Sequence, residues 1–76
     1  MAKILIIDDE EGIRMTLQEI LEYEDYKIDT AADGEEGLAK ILKNNYDAVI
    51  CDIKMPNMNG MEVLEKSMES KGDVPF

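Results

Sequence analysis

The sequence predicts an α/β chain in which three strand–helix units share one parallel sheet, with the strands in the order 2-1-3. Strand-like and helix-like patterns alternate along the whole length. Two of the strand candidates are continuous apolar runs, as a strand covered on both faces requires, whereas the one between them alternates polar and apolar residues. Strand, helix and strand joined by short connections imply parallel pairing with right-handed crossovers. The apolar runs then want central positions and the alternating one an edge.

The first run, Lys3 to Ile7, is rich in β-branched residues and stops at Asp8-Asp9. From about Glu11 to Glu24, Ile13, Leu17, Ile20 and Leu21 fall at i, i+4, i+7 and i+8, one stripe of a helix. Lys27 to Ala31 is the alternating strand. Asp33 reads as an N-cap with Glu36 three positions on, a variant of the capping box. Gly37, Leu38, Ile41 and Leu42 are expected to face the core of that second helix, which Asn44-Asn45 ends. Ala48 to Cys51 is the second buried-type strand and stops at Asp52. Lys54 to Gly60 is a loop punctuated by Pro56 and Gly60. Met61, Leu64 and Met68 at i, i+3 and i+7 place a third helix to about Ser70, with Met61 and Met68 as core residues. Gly72 to Phe76 reads as a turn into a further strand. Tyr23, Tyr26 and Tyr46 are read as packing residues, and Cys51 as a small buried hydrophobe whose thiol pKa is raised by neighbouring acids.

Composition narrows the function. Seventy-six residues suit one small domain, and 45% hydrophobic with 34% charged residues argues against disorder. No apolar run is long enough for a membrane span and no signal-peptide pattern opens the chain, so a cytoplasmic protein is expected. One cysteine and no histidine exclude a disulfide framework, a structural zinc site and a histidine-based triad. Eighteen acidic against eight basic residues, a net charge of −10, disfavour direct nucleic-acid binding. No dinucleotide, P-loop or EF-hand pattern is present.

The order 2-1-3 is the first half of the flavodoxin-like order 2-1-3-4-5, where the functional crevice lies beyond the carboxyl ends of the strands. Those ends are Asp8-Asp9 and Asp52. Adjacent strands lie about 4.8 Å apart, so carboxylates at their tips can converge. Any one of these aspartates alone reads as a solvated loop residue or a helix cap. Three together repel one another unless a cation sits among them. Hard oxygen ligands with room for water suit Mg²⁺, and a carboxylate beside such a metal can act as a nucleophile toward phosphorus.

Ile4 to Glu10, Ala32 to Gly37, and Asp47 to Pro56 followed by Met58-Asn59-Gly60 together resemble the receiver domain of two-component response regulators, in order and spacing over the whole chain. The resemblance implies that residues 1–76 are a partial receiver, its first three βα units, truncated before strand 4. It implies that Asp52 is the phosphoacceptor, taking a phosphoryl group from a sensor histidine kinase or a small phosphodonor. Asp9 would ligate Mg²⁺ directly and Asp8 mainly through water, with Asp52 and the main-chain carbonyl of Lys54 as further ligands. Pro56 and Gly60 would shape the loop presenting that carbonyl. Such a domain is a signalling module and not an enzyme in the ordinary sense, although intact relatives catalyse their own phosphotransfer and dephosphorylation. A C-terminal output domain, as in transcription regulation, is implied for many members.

Receivers also use a Ser or Thr after strand 4 and a Lys after strand 5, and neither can be assigned in this chain. Lys66 and Lys71 are expected to be solvated helix charges. The strand at 48–51 would expose an edge without hydrogen-bond partners, through which the chain could self-associate. These residues are expected to be a piece of a longer regulator, impaired as a phosphoacceptor on their own, or a non-switching interaction and dimerisation module of the same fold, or a marginal monomer. A phosphatase with an aspartate nucleophile is a weaker rival, because Asp8-Asp9 lacks the spacing it needs.

Overall fold

A computed structural model describes residues 2–55, 58–72 and 75. Strand β1 (Lys3–Ile7) is followed by helix α1 (Glu11–Tyr23), β2 (Lys27–Ala31), α2 (Gly34–Lys43), β3 (Ala48–Cys51) and α3 (Gly60–Lys71). The three strands form one sheet in the order β2-β1-β3, both pairs parallel. In register, Ile7 lies between Ala31 and Cys51, so the three strands end level with one another. That alignment brings the residues after β1 and β3 to the same edge.

The β1-to-β2 and β2-to-β3 crossovers run in opposite directions across the sheet, so right-handed connections put α1 on one face and α2 on the other, where α3 packs against α2. The continuous core lies on the α2–α3 side, where Leu5, Ile7 and Val49 pack with Ile41 and Val63. Leu5, Ile6 and Ile7 are fully buried, each contributing about 1.5–3 kcal/mol relative to exposure. Gly37 is where α2 approaches β1 most closely: a Cβ there would lie 2.4 Å from Ile7 Cδ1. At the opposite end of the sheet Tyr46 donates to Asp29 Oδ2 at 2.8 Å, Lys3 Nζ lies 3.6 Å from the same oxygen, and the Lys3 N–H donates to Asp47 Oδ2 at 2.7 Å.

Capping at α2 follows the expected pattern with one shift. Asp33 Oδ1 accepts the Glu36 N–H at 2.8 Å, but the Glu36 carboxylate returns to the N–H of Ala32, one residue before the cap, at 3.1 Å. Asn59 caps α3 in the same way, accepting from Glu62 at 3.0 Å.

Several expected core positions are corrected. Met61 and Met68 are 53% and 47% exposed, and the buried stripe of α3 is Gly60, Val63 and Ser67. Leu42 is exposed, while Gly37 and Ile41 are buried and Leu38 is half-buried as expected. No residue of α1 is fully buried, and Ile13 and Ile20 of its stripe are exposed. Tyr23 is 87% exposed and Tyr26 is exposed too, so Tyr46 alone of the three is a buried packing residue. Within β3 only Val49 is buried, since no further strand lies against it among the described residues, and Ile50 is 41% exposed. The outer edge of β3 does find one partner: the Val49 N–H donates to the carbonyl of Pro75 at 2.6 Å. Lys71 is not simply solvated, because its ammonium donates to the Asn44 carbonyl and to Asn45 Oδ1, tying the end of α3 to the end of α2.

Candidate functional site

Asp8 and Asp52 are the first residues beyond two adjacent strands, and the ladder is extended into both. The Asp8 N–H donates to Ala31 O at 3.1 Å, and the Asp52 N–H to Ile7 O at 3.0 Å. Each then folds its side chain back over its own turn. Asp8 Oδ1 accepts the Glu10 N–H at 2.9 Å, and Asp52 Oδ1 accepts the Lys54 N–H at 3.2 Å. An aspartate bonding the backbone two residues on is an Asx-turn, which explains why the chain leaves each strand at an aspartate.

Asp9 completes the group. Carboxylate oxygens of Asp8, Asp9 and Asp52, one from each residue, all lie within 4.8 Å of one another. Asp8 is 8% exposed, Asp52 half-buried and Asp9 open to solvent. A cation approaching from solvent would therefore meet Asp9 on the outside and Asp8 at the floor. The donor set fits a hard divalent cation: three carboxylates, all oxygen, close enough for one ion and open enough for water to fill remaining positions. The same closeness is a repulsive arrangement without a cation.

The segment after Asp52 is fixed by Gly60. Its N–H donates to Ile53 O at 3.1 Å, and a Cβ at this position would lie 2.7 Å from Asp52 O. Only a glycine allows the start of α3 to sit this close to the end of β3. Pro56, to which the family resemblance gives a role in shaping this loop, lies outside the described residues; Lys54 is exposed and its main-chain N–H holds Asp52. Cys51 is half-buried, and burial first, then the charges of Asp52 and Asp8, push its thiol up to about 11, which leaves it inert at neutral pH. Asn59 as a cap and Arg14, whose Nη1 donates to the main-chain carbonyl of Asp8 at 2.7 Å, were not singled out from the sequence. The Asn59 cap was legible as Asn followed three residues later by Glu; the Arg14 contact reaches back six residues, from the first turn of α1 to the end of β1, and carries no local signal.

With this geometry in hand, comparison with known proteins is decisive. A family model described as the response regulator receiver domain matches residues 4–76. The chain belongs to that family. It is 38% identical over 71 residues to the response regulator ArlR of Staphylococcus saprophyticus, covering 93% of this chain and 32% of the relative. It is 46% identical over 69 residues to the transcriptional regulatory protein ResD of Bacillus subtilis, covering 91% of this chain and 29% of the relative. The receiver chain thus spans about a third of the length of these curated relatives. Among solved structures it is similar to the response regulator TrrA of Thermotoga maritima in complex with Mg²⁺-BeF, with a TM-score of 0.91 at 49% identity over 97% of this chain and 64% of that one. A second TrrA structure, in complex with the histidine kinase ThkA, gives a TM-score of 0.89. No helix among the described residues is long and apolar enough to cross a membrane.

Proposed function

We propose that this receiver accepts a phosphoryl group on Asp52 from a sensor histidine kinase, with Mg²⁺ held by Asp8, Asp9 and Asp52, and passes the signal to an output domain that regulates transcription. The observation that carries the reading is the convergence of the three carboxylates at the tips of β1 and β3. The relatives support its setting: TrrA was solved with Mg²⁺-BeF and with a histidine kinase, and ResD is a transcriptional regulatory protein.

In this mechanism a carboxylate oxygen of Asp52 attacks phosphorus, the bond from phosphorus to the donor atom breaks, and the electron pair leaves with the donor group. Asp52 is held by the Lys54 N–H through one oxygen, which orients the carboxylate without protonating it. Asp9, at the solvent side, would hold the ion directly, and Asp8, fixed at the floor by the Glu10 N–H, would hold it mainly through water. The Lys54 carbonyl would supply a further oxygen. Mg²⁺, when bound, neutralises charge on the phosphoryl oxygens.

The test is titration with Mg²⁺ and then beryllofluoride, followed by amide resonances. Shifts centred on Asp9, Asp52 and Lys54, with beryllofluoride effects that need Mg²⁺, are expected. Shifts elsewhere, or none at millimolar Mg²⁺, would overturn the assignment. The alternative, a non-switching module that self-associates through β3, gains some support from exposed Ile50; it predicts a concentration-dependent mass and no response to beryllofluoride.

A further inference from the structure

Beside the three acids lies a cation that the mechanism above does not use. Arg14, on the first turn of α1, donates from Nη1 to the main-chain carbonyl of Asp8 at 2.7 Å. The Arg14 N–H also closes the first turn of the helix on Glu10 O at 3.1 Å. Asp8 is thereby held at every polar position of its backbone and at one carboxylate oxygen: N–H to Ala31, carbonyl to Arg14, and Oδ1 to Glu10. The residue between them, Asp9, is exposed, and its side chain makes no hydrogen bond or ion pair among the described residues. Its position therefore depends on the peptide units either side of it, of which the preceding one carries the carbonyl that Arg14 holds.

α1 offers no other strong anchor at this end. Its N-cap, Glu10, makes no side-chain capping bond, and none of its residues is fully buried. A charge-assisted hydrogen bond from a guanidinium is the stronger kind, and here it pins helix to turn where packing does not.

We propose that Arg14 is a positioning residue for the divalent-cation site: by holding the Asp8 carbonyl it fixes the β1–α1 turn that presents Asp9, and so sets the affinity for Mg²⁺. The proposal rests on the Mg²⁺ reading above and makes a prediction of distinctive sign. A positive charge near a cation site opposes cation binding, so if Arg14 acted only through its charge, removing it would tighten Mg²⁺ binding. If it acts by positioning, removing it weakens binding, by the roughly tenfold typical of lost outer-shell support.

The test measures the Mg²⁺ dissociation constant of the full chain by following amide resonances, for the unchanged protein, Arg14→Met and Arg14→Lys. Positioning predicts a constant raised roughly tenfold in Arg14→Met, and by a smaller factor in Arg14→Lys, which keeps the charge but not the planar fork. A constant unchanged or lowered in Arg14→Met overturns the proposal. Should Arg14→Met fail to fold by circular dichroism without metal, Arg14→Lys decides: a raised constant supports positioning, and an unchanged one overturns it. If the unchanged protein binds no Mg²⁺, the functional reading fails first and the role of Arg14 toward a metal falls with it.

Discussion

Asp52 is joined to the sheet through its N–H and to the next turn through its side chain, so its replacement by asparagine keeps an oxygen to accept the Lys54 N–H. Asp52→Asn should therefore melt within about 0.5 kcal/mol of the unchanged chain while losing the acceptor, a separation that paired melting and labelling experiments would check. Gly60 is less forgiving. A methyl group 2.7 Å from the Asp52 carbonyl would force backbone apart from backbone. Gly60→Ala should cost about 1–3 kcal/mol in denaturant unfolding and also weaken Mg²⁺ binding, because the displaced atom belongs to Asp52, the proposed acceptor. Glu36 sets part of the acid limit. The Ala32 N–H first, and then Lys40, hold its carboxyl below the usual 4.5. A depressed carboxyl contributes stability that is present above its unfolded value and lost as pH falls through its folded value. Glu36→Gln should then flatten the acid limb of a melting-temperature profile below about pH 4.5 and change its shape little at neutral pH.

At the level of elements, β1 and β3 were legible because their ends coincide with strong chemistry: a β-branched run that stops at an aspartate has both a pattern and a terminator, whereas β2 was read from its polar–apolar alternation. Helix existence was legible from apolar spacing and, for α2, from its Asp33 cap, but helix facing was not. In α3, Met61-Leu64-Met68 and Gly60-Val63-Ser67 are two stripes of identical spacing displaced by one residue. Hydrophobicity favours the first, yet the helix buries the second, because Gly60 and Ser67 are small enough for close approach to the core. Ser67 is fully buried and satisfies its hydroxyl within the helix by donating to Leu64 O at 2.9 Å. Ser67→Leu should consequently destabilise by about 1–3 kcal/mol through overpacking, whereas Met61→Lys should stay within about 0.5 kcal/mol. Denaturant midpoints of the two variants would check both, and the opposite ranking would restore the methionine face to the core.

For the molecule as a whole, the sheet order does the work of function. Placing β1 beside β3, with ends in register at Ile7 and Cys51, is what turns three scattered aspartates into one acidic group, and the sequence made this readable because pattern and site agree. What it could not show was how these residues are held. The Arg14 contact and the one-residue shift of the Glu36 cap depend on side-chain reach across turns, for which periodicity carries no information. The most direct measurement of the central claim is intact mass and peptide mapping after incubation with a small phosphodonor, with and without Mg²⁺, in the unchanged chain and in Asp52→Asn. A single added phosphoryl group on the peptide that contains Asp52, dependent on Mg²⁺ and missing from the variant, is the predicted result. Labelling that persists in Asp52→Asn, or that proceeds equally in excess chelator, would contradict it.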